Sequence, residues 1–444
     1  MSYRSFALLL LGAAIIDWPQ ASAQRSKNRA SDATVPTIKA DVPQVLVPTI
    51  VTDKKGHAVS GLKRSDFAVF EDGIPQRIVA FSKTFDSSIE TRASVVVAGT
   101  KDRLDSSNAQ AANVVGTDSP TRTYLVCVDT LHSSFSNVIA VRRALEKFFR
   151  GEHDEKAQYA LMTIGRQIDV VQDSTRDPSV VLAALSSKNF QNKVIAGEES
   201  NIAFEADTLR KMLLGQIPIP PLDLEHQVQM FITSRAERTA ILTRIFQQEL
   251  KNIIQTTGRI PTQRTILLIS DGFNLVPGRE LVGIARAYFP NNPSFRFTEH
   301  DAQPQLNEVL RLAERYNVVI YGLDSRGLYS PASTGLGDAS HSGEARMQYT
   351  RALNEMMQDE DTVAWENGSA LAQLASATGG IYFQNNNDLL AGIHRAFDDE
   401  RERYVIAYSP SNSSADDKYR NIRVELRRSS FKVHAKAGYW ATER

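Results

Sequence analysis

Three runs of apolar residues stand out along the chain, and each ends in a carboxylate. Tyr124–Val128 runs into Asp129, Thr265–Ile269 into Ser270, Asp271 and Gly272, and Val318–Leu323 into Asp324. Unalternated runs of this length suit strands buried on both faces of a parallel sheet. Between them, apolar positions recur at helical spacing: Val138, Val141, Leu145 and Phe148; Leu242, Phe246, Leu250 and Ile253; Leu306, Val309, Leu310 and Ala313. Strands alternating with helices predict an α/β sheet with acidic loops along one edge. Ser136 is the expected cap of the first helix, and Asp177-Pro178 opens another. Tyr159–Ile164 and Ile168–Val171 read as strands about Gly165, and a helix through Leu371 and Leu374 stops at Gly379-Gly380. Ile381–Phe383 is a short strand, Leu390, Ile393 and Phe397 mark a last helix, and Tyr404–Tyr408 is a further strand.

Both flanks of this unit have β character. Val45–Thr52 is rich in β-branched residues, and Phe67–Phe70 and Arg77–Phe81 are joined across Asp72-Gly73, a hairpin signal. Near the other end, Ile422, Val424 and Leu426 alternate with Arg423 and Glu425. Lys432, His434 and Lys436 alternate with Val433, Ala435 and Ala437, and the basic row is expected to be a solvated strand face. A short lone sheet is marginal in water. The two flanks are therefore expected to join as one β domain with the α/β unit inserted between them. The competing arrangement adds the C-terminal strands to the edge of the α/β sheet. Asn189–Arg235 reads as an insertion, with Ile217–Pro221 neither helix nor strand, and 271–301 as loop with exposed aromatics Tyr288, Phe289, Phe295 and Phe297.

Composition narrows the function classes. A chain of 444 residues holds two ordinary domains. A formal net charge of +0 removes any general electrostatic case for nucleic acid or an anionic membrane. The single cysteine, Cys127, lies mid-strand and is expected to be a small buried hydrophobe. Arg4, the apolar run Phe6–Ile16 and Ala21-Ser22-Ala23 have the pattern of a signal peptide over 1–23. No later stretch is long enough to span a membrane, so a secreted or periplasmic mature chain without a transmembrane segment is expected.

A strand ending in Asp129, a small polar elbow with Ser133, a helix, and later a strand ending Ser270-Asp271-Gly272 together resemble the von Willebrand factor type A (vWA) domain. Further motifs follow in order: Gly56 to Gly73, Ile320–Leu328, Leu371–Phe383 with Thr378-Gly379-Gly380, Tyr404–Pro410, and Ala437-Gly438-Tyr439. In that order they resemble the acidobacterial "VWFA-related" family of exported proteins. The resemblance implies a doubly wound, mostly parallel sheet with helices on both faces, plus a smaller β-sandwich-like domain. The domain spans follow: 35–86 N-terminal β domain (immunoglobulin-like); 87–121 linker; 122–408 vWA-like domain with insertions near 189–235 and 325–358; 409–444 C-terminal strands.

That family holds a divalent metal at a metal-ion-dependent adhesion site, and the resemblance implies Asp129, Ser133, Ser200 and Asp271 as ligands here. Leu131 stands where the first hydroxyl belongs and offers no oxygen. Weak binding of Mg²⁺ or another divalent cation is therefore expected, tightened by Leu131→Ser. Asp129, His132 and Ser133 have triad chemistry, but their local spacing makes triad geometry improbable. No Gly-x-Ser-x-Gly, Walker loop or His-Glu-x-x-His occurs, and the 8 histidines lack ligand spacing. The leading expectation is a non-enzymatic module for protein–protein interaction or adhesion at a degenerate metal edge, with an unidentified protein partner. A structural envelope protein with a metal-free vWA fold is the alternative, and a metal-dependent hydrolase ranks third. Amino-terminal sequencing of exported protein is expected to begin at Gln24, and an intact Met1 would exclude the signal peptide.

Overall fold

Four strands open the described part of the computed structural model: β1 (Val45–Thr52), β2 (Phe67–Glu71), β3 (Ile74–Gln76) and β4 (Ile78–Lys83). Residues 44–83, 122–151, 153–196, 202–217, 223–258, 263–289, 292–295, 300–327, 370–384, 387–427 and 430–442 are described. The expected signal peptide, the linker 87–121 and the 325–358 insertion beyond Gly327 lie outside them.

The α/β unit follows with β5 (Arg122–Asp129), α1 (Phe135–Gly151), β6 (Ala157–Ile164), β7 (Ile168–Thr175), α2 (Pro178–Ser186), α3 (Lys188–Ala196), α4 (Ile202–Leu213) and α5 (Leu224–Thr257). It continues through β8 (Gln263–Ser270), α6 (Arg279–Tyr288), α7 (Gln303–Arg315), β9 (Val319–Asp324), α8 (370–378), β10 (Tyr382–Phe383) and α9 (Leu389–Arg401). Its six-stranded sheet has the order β10-β9-β8-β5-β6-β7. Every pair is parallel except β6 with β7. The fold class expected from the sequence is therefore the one observed. Successive residues of β5 feed opposite cores, as the pleat requires. Tyr124, Val126 and Val128 pack with α1, α2 and α9, whereas Leu125 and Cys127 pack with α5, α7 and α8. Burial pushes the Cys127 thiol up to about 12, which leaves it an inert apolar group.

The chain closes with β11 (Tyr404–Tyr408), β12 (Tyr419–Leu426), β13 (Lys432–Ala435) and β14 (Gly438–Trp440). These strands interleave with the first four in two antiparallel sheets, β13-β1-β11-β4 and β14-β12-β2-β3. Val47, Phe67, Val69, Ile406, Ile422 and Val424 share one core between the sheets, so the two flanks form one sandwich. The C-terminal strands do not extend the α/β sheet. Tyr404–Tyr408, placed by the sequence in the α/β domain, lies instead between β1 and β4. All five of its residues are buried, so it reads like a parallel central strand although its partners are antiparallel.

A buried ionic cluster ties this sandwich together. Glu71 on β2 accepts hydrogen bonds from Tyr408 Oη at 2.5 Å and Tyr439 Oη at 2.9 Å, and Arg420 Nη1 lies 3.4 Å away. Burial and the neighbouring Glu71 push the Tyr439 phenol up to about 12, so it stays a donor. Several contacts then fasten the sandwich to the α/β unit, among them Trp440 N to Glu314 Oε2 at 3.2 Å and Ala437 N to Ser376 O at 3.2 Å. The buried Arg403 donates to Tyr321 Oη on β9 at 2.9 Å, and Lys436 pairs with Glu314 of α7 at 3.3 Å. Lys436 corrects the expected solvated basic row: it is buried because α7 covers it and supplies the counter-charge.

The insertion at 189–235 is also more ordered than its composition suggested. Leu209 and Leu213 of α4, Val228 and Ile232 of α5, and Leu281 and Ile284 of α6 form a separate helical core. Phe295, expected to be exposed, is buried in it and stacks on Phe289 at 5.2 Å. Phe297 and most of Ile217–Pro221 lie outside the described residues.

Removing one partner of a buried charge pair leaves the other uncompensated. Glu71→Ala is therefore expected to cost about 3–5 kcal/mol, read as a lowered urea midpoint. An unchanged midpoint would mean that Arg420 finds other acceptors in the folded sandwich.

Candidate functional site

The candidate site is the carboxyl edge of the α/β sheet. In doubly wound sheets, ligand crevices open where the strand order reverses, and here that point lies between β5 and β8. Val128 pairs with Ile269, which brings Asp129 beside Ser270, and Ser270 pairs with Asp324. Asp129, Ser270 and Asp324 thus form a row at one register level, on the face that meets α5, α7 and α8.

Asp129 is fully buried, and its acceptors are used internally. Oδ1 accepts the backbone N–H groups of Leu131 at 2.9 Å and His132 at 3.1 Å. Oδ2 accepts the Ser270 hydroxyl at 2.6 Å and lies 3.0 Å from His132 Nδ1. An ionised carboxylate offers about four lone-pair sites, and these four donors fill them. Because a carboxylate only accepts, His132 Nδ1 carries a proton. The imidazole edge meets Phe246 at 5.1 Å and lies 5.8 Å from Phe273. Its Nε2 has no hydrogen-bond partner among the described residues, and no hydroxyl stands there as a triad would need.

The elbow then carries the chain into α1. Ser134, rather than the expected Ser136, caps that helix: its Oγ accepts from Asn137 N at 3.3 Å. Ser133 Oγ accepts from Asp271 N at 3.0 Å, which holds the elbow to the end of β8. Asp271 Oδ2 accepts from Ser134 N at 2.9 Å and Asn137 Nδ2 at 2.8 Å, and Oδ1 accepts from Ser325 Oγ at 2.6 Å. Burial raises the Asp271 pKa above the usual carboxylate range, and these three donors partly oppose it. Asp324 is forked by Arg326, Nε to Oδ1 at 2.9 Å and Nη2 to Oδ2 at 2.6 Å, and also accepts from Tyr382 Oη at 2.9 Å.

No protein-family model matches the chain, and no curated protein matches it. Solved structures do. An aerotolerance-related membrane protein from Bacteroides fragilis, carrying multiple mutations to serines, is 12% identical. The match covers 63% of this chain and 98% of that one, with a TM-score of 0.27. BatB from Bacteroides thetaiotaomicron is 11% identical over 63% of this chain and 98% of its own, with a TM-score of 0.25. Proximal thread matrix protein 1 from the mussel byssus, in a form with a zinc-occupied MIDAS motif, is 11% identical with a TM-score of 0.28. That match covers 66% of this chain but only 49% of the byssus protein.

The donors present do not fit the divalent cation that the vWA resemblance implies. Asp129 and Asp271 are brought to one edge with Ser133, but Asp129 has spent its lone pairs on protein donors. Leu131 is not at a ligand position: its side chain is fully buried in the core with Cys127, Ile164, Phe246 and Phe273. Ser200 lies outside the described residues. Among the described residues, no three His, Cys, Asp or Glu side chains gather to hold a metal. Sequence reasoning missed Ser270, Ser325 and Arg326. Ser270 stood inside the recognised Ser-Asp-Gly motif, which was the available signal for it.

Leu131→Ser therefore opens a core cavity instead of completing a metal shell. It is expected to cost about 2–5 kcal/mol of stability and to leave Mg²⁺ and Mn²⁺ titrations flat in the calorimeter. A tighter cation isotherm for the variant than for the parent would show that the elbow turns outward in solution.

Proposed function

We propose that this is an exported, non-enzymatic interaction module of the vWA type, whose carboxyl sheet edge engages a protein partner without a resident divalent cation. The observation that carries the reading is the contrast within the elbow. His132 and Ser270 are buried and each bonds to the buried Asp129, while Phe135, two residues beyond Ser133, is 47% exposed. Polar chemistry is thus turned inward and an aromatic outward, and exposed aromatics are favoured anchors of protein interfaces. The pattern of residues 1–23 supports export, and the order of motifs resembling the exported VWFA-related proteins agrees with it. Adhesion is the form of interaction that the resemblance favours.

A second reading rests on the helical core of α4, α5 and α6. There the protein is a structural envelope component that acts through its insertions. One experiment separates the readings: pull-down from the envelope fraction with the parent and with Phe135→Asp, each in Mg²⁺ and in chelator. The first reading expects the same retained protein in both buffers and its loss in the variant. Retention only in Mg²⁺ would restore a metal-dependent edge, and retention indifferent to Phe135→Asp would favour the insertions.

A further inference from the structure

Three aspartates end neighbouring strands at this edge, and each is compensated differently. Asp129 takes two backbone N–H groups, a hydroxyl and an imidazole. Asp271 takes two neutral side chains and one backbone N–H. Asp324 alone is given a full counter-charge, the Arg326 guanidinium. We propose that Arg326 is the built-in counter-ion of the edge. It supplies from within the chain the positive charge that a divalent cation brings to metal-binding vWA domains, and it makes the edge's stability independent of metal.

Geometry supports this assignment. Asp324 is buried, with a side chain 4% exposed, and a buried carboxylate without a partner is strongly destabilising. Arg326 meets it with two side-chain bonds, and its own backbone N–H adds a third at 3.0 Å. The planar guanidinium matches both carboxylate oxygens at once, which an ammonium cannot do. The backbone fixes the fork in place: Ser325 N donates to Ser270 O at 3.1 Å, continuing the β8–β9 ladder one step past the strand. The Ser325 hydroxyl reaches Asp271 from the same turn, so Arg326 belongs to the bonded chain that runs Asp324, Ser325, Asp271, Ser133. Burial works against the guanidinium's charge, yet Asp324, then Tyr382 and Asp271, outweigh it and hold its pKa above the ordinary arginine value.

The proposal rests on the cation-independent reading of the edge. Its test is read in stability rather than partner capture, so either can fail alone. Thermal unfolding of the full chain is compared in Mg²⁺, in Mn²⁺ and in chelator for the parent, Arg326→Gln, Arg326→Lys and the double variant Asp324→Asn/Arg326→Gln. The parent's Tm is expected to be the same in all three buffers. Arg326→Gln should lower Tm by several degrees and recover part of the loss in millimolar Mg²⁺. Arg326→Lys should fall between it and the parent. The double variant should regain most of the loss, because no unpaired carboxylate remains. If Arg326→Gln does not fold, a folded double variant still supports the assignment. The assignment is overturned by a parent Tm that rises with Mg²⁺ or by an Arg326→Gln variant with unchanged Tm. A loss that Mg²⁺ does not relieve, or a double variant no more stable than Arg326→Gln, overturns it equally.

Discussion

A carboxylate with no access to water must find all its hydrogen-bond donors inside the protein, and Asp129 imposes that condition on the whole sheet edge. The chain bends back after β5 so that two N–H groups reach Oδ1, and this bend drives Leu131 into the core. The Ser270 hydroxyl turns towards Oδ2 and leaves its oxygen to accept from Gly272 N at 2.9 Å, which shapes the next loop. Burial also grades the three solutions. Asp129 and Asp324, both buried, receive four donors and a full ion pair respectively. Asp271, partly exposed, needs only neutral groups.

Much of this fold was legible in the sequence because its parallel strands are buried on both sides and its helices present one apolar face. The carboxylates at the strand ends were legible for the same reason, since the apolar run shows where each strand stops. The direction of Leu131 was not legible, because it depends on how the elbow folds back on Asp129 and not on any periodicity. Arg326 was missed because it meets Asp324 across a tight turn beyond the end of β9, where strand alternation no longer places side chains. Tyr404–Tyr408 was assigned to the other sheet because a strand covered on both faces reads alike in parallel and antiparallel surroundings. Beyond α3, the helices of the 189–235 insertion hid their pattern by packing on α6 and one another instead of on the sheet.

Joining the flanks into one sandwich also explains why neither carries a large core of its own. Each contributes strands to both sheets, and Glu71, Tyr408, Arg420 and Tyr439 converge from four different strands. The α/β unit therefore enters and leaves through a frame already closed on itself. Arg403 and Lys436 turn that frame from a tether into a fixed mount.

The interleaved strands set an order of assembly. Val45 pairs with Tyr408 and Thr49 with Ala435, so the first of the described strands meets its partners only after the α/β unit has been made. Until then β1 is an unpaired edge, the kind of segment that recruits strands from other chains. The α/β unit, lying between the two flanks, can bury most of its cores while β1 waits, and Ile50 of β1 completes one of them. Pro48, in the middle of β1, lacks the N–H that a foreign strand would need for a continuous ladder. In the finished sheet its carbonyl accepts from Lys436 N at 3.3 Å, so Pro48 serves the native ladder as an acceptor while denying a foreign strand a donor.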